Sequence, residues 1–279
     1  MNLINYGYVI HKYSRCIKRQ ILSDKASVHT ASIIDQFTKQ ANPFAKKQGH
    51  SDERAFKLMY DLTKVTNTDS VLDVACGPGL VSCAFAKIAK HVTGIDITPA
   101  MIEKAKLLQH ERLLNNLTWN IGNASPLIFP DESFSLVITR YSFHHFLEPE
   151  KVLSEMIRVC KRGGRIAVID VTPRPEKALA YDRIEKLRDP SHVRAIPFDE
   201  LLDMVKKFGL INISAAFYRL ESELEEQLTA SFPNPGDDQK IRNLIQNDLG
   251  IDKMDLKCYT KDEMTYFSYP TSIIVAYKP

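Results

Sequence analysis

A mainly parallel α/β sheet with helices on both faces is the fold class predicted by this sequence of 279 residues. Three observations carry that prediction. Short apolar, β-branched runs alternate with amphipathic stretches along most of the chain, which is the pattern of βαβ units. Residues 165–171 are apolar at nearly every position, as a strand buried on both faces must be. The first run, Ser70–Val74, leads into Gly77-Pro78-Gly79, and a helical pattern follows at once.

The elements follow in order. Residues 51–64 read as a helix, with Ser51 as N-cap, Asp52 and Glu53 in the first turn, and Ala55, Leu58, Met59 and Leu62 at helical spacing. Strand Ser70–Val74 is followed by a helix marked by Val81, Ala84, Phe85 and Ile88, and then by a strand at 91–95. Thr98 as cap and Pro99 at the first helical position open a helix carrying Met101, Ile102, Ala105 and Leu108. Strands are predicted at 117–121 and 134–139. A helix holding Val152, Met156, Ile157 and Val159 ends at Lys161-Arg162-Gly163-Gly164. A strand at 165–171, a helix at 198–208 and strands at 211–217 and 272–277 complete the pattern, giving seven strands.

Composition narrows the function classes. The 37 basic residues nearly balance the 34 acidic ones, for a net charge of +3, so nucleic acid is not the expected partner. No run approaches the roughly 18 apolar residues that a membrane span requires. The five cysteines are odd in number and form no C-x-x-C pair, which indicates neither a disulfide framework nor a metal site and suits a reducing, cytoplasmic location. Residues 1–30 carry five basic side chains against Asp24 alone and lack the apolar core of a secretory signal. They read as a poorly ordered N-terminal extension. The domain proper is expected over 31–279, with the acidic stretch 221–263 as a helical insertion or lid.

The chemistry is concentrated around the glycine loop. In an open α/β sheet, ligands bind at the carboxyl ends of the strands. Ala75, Gly77 and Gly79 are small enough to let the backbone approach a ligand. Asp96 closes the second strand, where a carboxylate can accept both hydroxyls of a ribose. A dinucleotide site would want a third glycine where Ser82 stands. Asp73 at the mouth of the loop would repel a pyrophosphate and attract an ammonium. A ligand with a ribose, an ammonium and no phosphate is S-adenosylmethionine (SAM). An NAD-dependent oxidoreductase is the alternative reading, and a non-catalytic SAM-binding module is a third.

These residues resemble the class I SAM-dependent methyltransferases, and within them the type-11 group related to the ubiquinone/menaquinone methyltransferases. The likeness extends through Asp96-Ile97-Thr98-Pro99-Ala100-Met101 and through 155–170. It implies a Rossmann-like, seven-stranded sheet with an antiparallel last strand. It also implies that Asp73, Ala75, Gly77 and Gly79 line the methionine part of the cofactor, that Asp96 holds the ribose, and that Ile97 and Met101 flank the adenine. Asn123 and Ala124 follow, although Gly122-Asn123-Ala124 departs from the group's usual Asp at the middle position. Arg162 likewise replaces a usual Pro, and Ser135 a common Asp.

The acceptor side rests on Arg140-Tyr141-Ser142-Phe143-His144-His145-Phe146, which resembles the group's R-x-x-x-H-H-F pattern. A histidine there can serve as the base for an acceptor that must lose a proton. Adjacent side chains point differently, so one of His144 and His145 is catalytic at most, with His145 preferred; the other caps or packs. Arg140 anchors an anionic or carbonyl-bearing substrate, also touching the cofactor, or else pairs with an acid. The cluster 185–194 resembles the subgroup's R-D-P-S-H segment, and its His192 either covers the acceptor or is structural. Tyr6, Tyr8, Tyr13, Phe37 and Phe44 are candidate lid residues. The expected acceptor is a small quinone-like, aromatic or polyketide molecule.

Overall fold

The computed structural model describes residues 24, 26–42 and 53–279. Tyr6, Tyr8, Tyr13, Phe44, Cys16, the expected N-cap Ser51 and the expected first-turn residue Asp52 lie outside the described residues. Helix α1 spans residues 26–42. Helix α2 (Glu53–Thr63) leads to β1 (Ser70–Val74), α3 (Leu80–Phe85), β2 (His91–Asp96), α4 (Pro99–Glu111), β3 (Leu117–Ile121) and β4 (Phe134–Arg140). There follow α5 (Pro149–Val159), β5 (Cys160–Val171), α6 (Ala178–Arg188), α7 (Phe198–Lys207) and β6 (Ile211–Glu223). Helices α8 (Leu224–Ser231) and α9 (Asp237–Gln246), with β7 (Tyr259–Lys261) and β8 (Met264–Tyr277), complete the chain.

Seven strands lie side by side in the order β3-β2-β1-β4-β5-β8-β6. The pairs β1–β2, β2–β3, β1–β4 and β4–β5 are parallel, whereas the last strand, β8, runs antiparallel to both β5 and β6. The chain therefore winds outward from β1 in one direction and from β4 in the other. This reversal opens a crevice at the carboxyl ends of β1 and β4, the usual ligand position in such sheets. An eighth short strand, β7, pairs with the outer part of β8. The hairpin turn between them places Asp262 at φ 49° and Glu263 at φ 63°. That is the left-handed geometry a two-residue hairpin prefers, without the glycine that would have announced it.

Both faces of the sheet are buried, so neighbouring residues of one strand serve different cores. Leu72, Val137 and Val168 pack with Leu153, Met156 and Leu201 of α5 and α7. Val71, Leu136, Ile138 and Ala167 pack with Met59 and Phe85 of α2 and α3. A third cluster lies beyond the sheet's main body. There Tyr181 and Ile184 of α6 meet Leu228, Ile241 and Ile245 of α8 and α9 beneath Leu220, Phe267 and Tyr269.

Two expected boundaries change. Residues 26–30, assigned from sequence to the extension, belong to α1. The stretch 221–263 begins as the end of β6 and continues as α8 and α9, packed on α6 away from the crevice. None of its residues lines the cleft, and among the described residues the helical cover comes from α1. No helix among the described residues is long and apolar enough to cross a membrane.

Candidate active site

The loop after β1 turns on three left-handed residues: Ala75 at φ 56°, Gly77 at φ 52° and Gly79 at φ 81°. The two glycines do different work. A Cβ on Gly77 would meet no atom within 4 Å, so this position keeps the cleft wall open. A Cβ on Gly79 would come within 2.7 Å of the Trp119 ring and 2.9 Å of Ala105 Cβ. Gly79 thus lets β3 and α4 close against the start of α3. Trp119 was not singled out from sequence, since nothing local shows which glycines it packs on. Its indole N–H is held by Gln109 Oε1 at 2.7 Å.

Asp96 caps this arrangement. One carboxylate oxygen accepts the Gly77 N–H at 2.9 Å and the other the Thr98 N–H at 2.8 Å. Burial raises its pKa, and these N–H groups oppose that. Each oxygen keeps a further lone pair for a ligand. Asp73 lies behind the loop, 1% exposed, accepting the Ser82 hydroxyl at 2.5 Å. Burial pushes its pKa up to about 7, against the Ser82 bonds and with the help of nearby Asp96.

A cleft of about 680 Å³ opens above the loop. Of the residues expected from sequence, Ala75, Gly77, Asp96, Ile97, Met101, Asn123, Ala124, Arg140 and His145 line it. Asp73, Gly79 and His144 do not. Arg140, at the end of β4, is buried between two aromatic faces, 5.2 Å from the Phe56 ring centroid and 4.6 Å from that of Tyr141. Burial alone would lower its pKa, but the Tyr141 and Tyr218 phenols more than offset this and keep it cationic.

The histidine pair is split by a 3-10 turn over Phe143–His145. His144 turns away from the cleft and its Nδ1 lies 2.6 Å from Asp170 Oδ1. It is buried against Asp170 and is not among the residues that line the cleft. His145 faces the cleft, but its Nδ1 sits 3.1 Å from the Ser191 carbonyl oxygen. The Ser191 hydroxyl proton is engaged by Asp189 Oδ1 at 2.6 Å, so Nδ1 is the donor to Ser191. Burial, with His144 and His192 nearby, lowers the His145 pKa to about 3. The direction of that shift weighs against the expected general-base role of His145. His192 is fully buried against Asp182, at 2.7 Å, and is not among the residues that line the cleft.

The missed part of the site is α1. Ala26, His29, Thr30, Ile33 and Phe37 cover the cleft. Gln36 and Gln40 anchor the helix, both donating to the Ser231 carbonyl, at 2.5 and 3.0 Å. Of these, only Gln36 and Phe37, within Gln36-Phe37-Thr38, carried a sequence signal.

Comparison with known proteins adds the family. Residues 72–168 match the methyltransferase domain family of type 11. The chain is 33% identical to the uncharacterized methyltransferase YcgJ of Bacillus subtilis over 57% of this chain and 66% of that one. The crystal structure of YcgJ superposes with a TM-score of 0.74 at 23% identity, covering 81% of this chain and 98% of the other. A demethylmenaquinone methyltransferase of Tropheryma whipplei is 30% identical over 51% of this chain and 60% of its own. The chain thus spans no more than 66% of these curated relatives. A phosphoethanolamine N-methyltransferase of Haemonchus contortus, crystallised with S-adenosylhomocysteine, shares the fold at a TM-score of 0.61 and 17% identity, over 86% of this chain and 58% of that chain. With its strand order, its glycine loop and Asp96, the chain has the fold of the class I methyltransferases, and its residues 72–168 match the type-11 methyltransferase domain.

Proposed function

We propose that the chain transfers a methyl group from SAM to a small, largely apolar acceptor of quinone-like, aromatic or polyketide type. The observation that carries this is the pairing of Asp96 with Gly77: a carboxylate with spare lone pairs beside a loop position that leaves the cleft open. Asp96 would take the ribose hydroxyls. Ile97, Met101 and Ala124 offer apolar surface to the adenine, and Asn123 can accept from its amine. Ala75 and Gly77 cradle the methionine portion. Asp73, set behind them, adds negative potential toward the ammonium, and Gly79 shapes the loop without touching the ligand.

SAM supplies a methyl group already activated on a sulfonium. The protein's task is then positioning and exclusion of water. Helix α1 closes the acceptor end with Ile33 and Phe37, beside Phe146 and Leu147. Arg140 provides a fixed cation for an oxygen that gains negative charge, and His145 shapes the wall as a neutral ring. The apolar lining, together with the demethylmenaquinone relative, supports the quinone-like class. Four buried free thiols, Cys76, Cys83, Cys160 and Cys258, support a cytoplasmic setting.

Titration calorimetry with SAM, S-adenosylhomocysteine and NAD tests the cofactor. SAM and its product should bind and NAD should not; tight NAD binding would favour the oxidoreductase alternative. A screen of small aromatic and polyketide acceptors with labelled SAM then tests the substrate class. SAM binding without transfer to any acceptor would favour a non-catalytic module.

A further inference from the structure

A hydroxyl or enol acceptor must shed a proton as it gains a methyl group, and the cleft must offer that proton a destination. Among the described residues lining the cleft, most ionisable groups are engaged. Asp96 accepts two backbone N–H groups, and its remaining lone pairs are assigned above to the ribose. Glu148 pairs with Lys151 at 2.8 Å, and Glu155 with Arg158 at 2.8 Å. Arg140 is a cation. His145 donates Nδ1–H to Ser191, its Nε2 is 4.0 Å from Asp189 and beyond a hydrogen bond, and full burial lowers its basicity.

His29 on α1 differs from all of these. Its Nε2 lies 2.7 Å from the backbone carbonyl oxygen of His145. A carbonyl oxygen only accepts, so Nε2 carries the hydrogen. The tautomer is thereby set, and Nδ1 holds the lone pair. The ring is half-buried and lines the cleft beside Thr30, Ile33 and Phe37. The same bond ties the ring to the turn after β4, so the imidazole is held in place from both sides of the cleft.

We infer that His29 is the proton acceptor of the acceptor site, and that the site takes molecules with a weakly acidic hydroxyl. This rests on the methyltransferase reading above. In the step, the acceptor's O–H bond breaks and its proton passes to His29 Nδ1. The acceptor's electron pair forms the new bond to the methyl carbon. The S–CH3 bond breaks with its pair left on sulfur, turning the sulfonium into a thioether. His29 then returns its proton to solvent.

The variant His29→Gln separates this role from anchoring. The glutamine amide nitrogen can replace Nε2–H in the bond to the His145 carbonyl but offers no basic lone pair. Two probes are compared at pH 8 with labelled SAM: menadiol, a weakly acidic reduced naphthoquinone, and 4-nitrophenol, already largely ionised. With menadiol the variant should lose about 10²-fold or more in kcat. With 4-nitrophenol it should lose less than about threefold, and its SAM affinity by calorimetry should match wild type. Equal losses on both probes, or none on menadiol, would overturn the role of His29. Wild type that binds SAM yet methylates neither probe would overturn the hydroxyl class, whereas wild type that does not bind SAM would overturn the methyltransferase reading itself. A readout independent of turnover is the nitrogen-15 imidazole spectrum of the free protein. His29 should show a protonated Nε2 and a bare Nδ1, and the opposite tautomer would also overturn the inference.

Discussion

Asp170 holds His144 from two directions: one carboxylate oxygen meets the imidazole Nδ1 at 2.6 Å, and the other accepts the Phe143 backbone N–H at 2.6 Å. The contact ties the end of β5 to the turn after β4 and sets which of two adjacent histidines faces the cleft. Burial alone would raise the Asp170 pKa, but His144 holds it low. Burial alone would lower that of His144, but Asp170 holds it high.

Asp170→Asn should therefore cost about 3–5 kcal/mol of stability, the scale for breaking a buried ion pair. The Asp170 contribution exists above the unfolded carboxylate pKa and fades as pH falls through its lowered native value. The His144 contribution is full below the unfolded imidazole pKa and fades as pH rises through its raised native value. Urea unfolding should show the widest gap between wild type and variant at about pH 4–6.5. A gap independent of pH would mean that the pair is not ionised.

Asp73 has the opposite sign. Its native pKa of about 7 lies above the unfolded carboxylate value, so the native state binds its proton more tightly. Cofactor-free stability should fall as pH rises from about 4 to about 7. Asp73→Asn should remove that slope and be more stable than wild type at pH 8, on the order of 1–3 kcal/mol. It should also bind SAM more weakly, because the negative potential behind the loop is gone. Unfolding at pH 5 and pH 8, with calorimetry at pH 8, checks both halves.

The two loop glycines should respond differently. Gly79→Ala drives a methyl group into Trp119 and Ala105. It should destabilise the fold by about 2–4 kcal/mol. Gly77→Ala meets no clash and should cost the fold only about 1–2 kcal/mol, for its left-handed φ. Its methyl group intrudes on the cleft, so SAM affinity should drop at least about tenfold. Melting temperature and calorimetry on both variants separate the effects; identical profiles would mean that the loop has one role.

Asp96→Ala should weaken SAM binding by about 1.5–3 kcal/mol, the scale of a hydrogen bond to a charged group. It also strips the acceptor from two backbone N–H groups, so the loop should exchange amide hydrogens faster. Asp96→Asn, which keeps one acceptor oxygen, should lie between the two. Unchanged affinity in the alanine variant would remove Asp96 from the cofactor site.

Sequence was sufficient for the strand-and-helix alternation that builds the parallel sheet. Alternating apolar runs required a parallel sheet covered on both faces, and Ala75, Gly77, Asp96, Ile97 and Met101 sit within a few residues of strand ends, so the rule that ligands bind at those ends located them on the cleft. Tertiary structure alone decided what joins distant segments or separates near ones. The bonds of Gln36 and Gln40 to Ser231 cross almost 200 positions, so no local period announced that α1 would cover the cleft. His144 and His145 are equivalent in sequence, and only Asp170, brought alongside by the pairing of β4 with β5, turns one inward to a carboxylate and leaves the other to the cleft. Gly77 and Gly79 look alike for the same reason, because the difference between them is Trp119, which the register of β2 with β3 places next to only one of them.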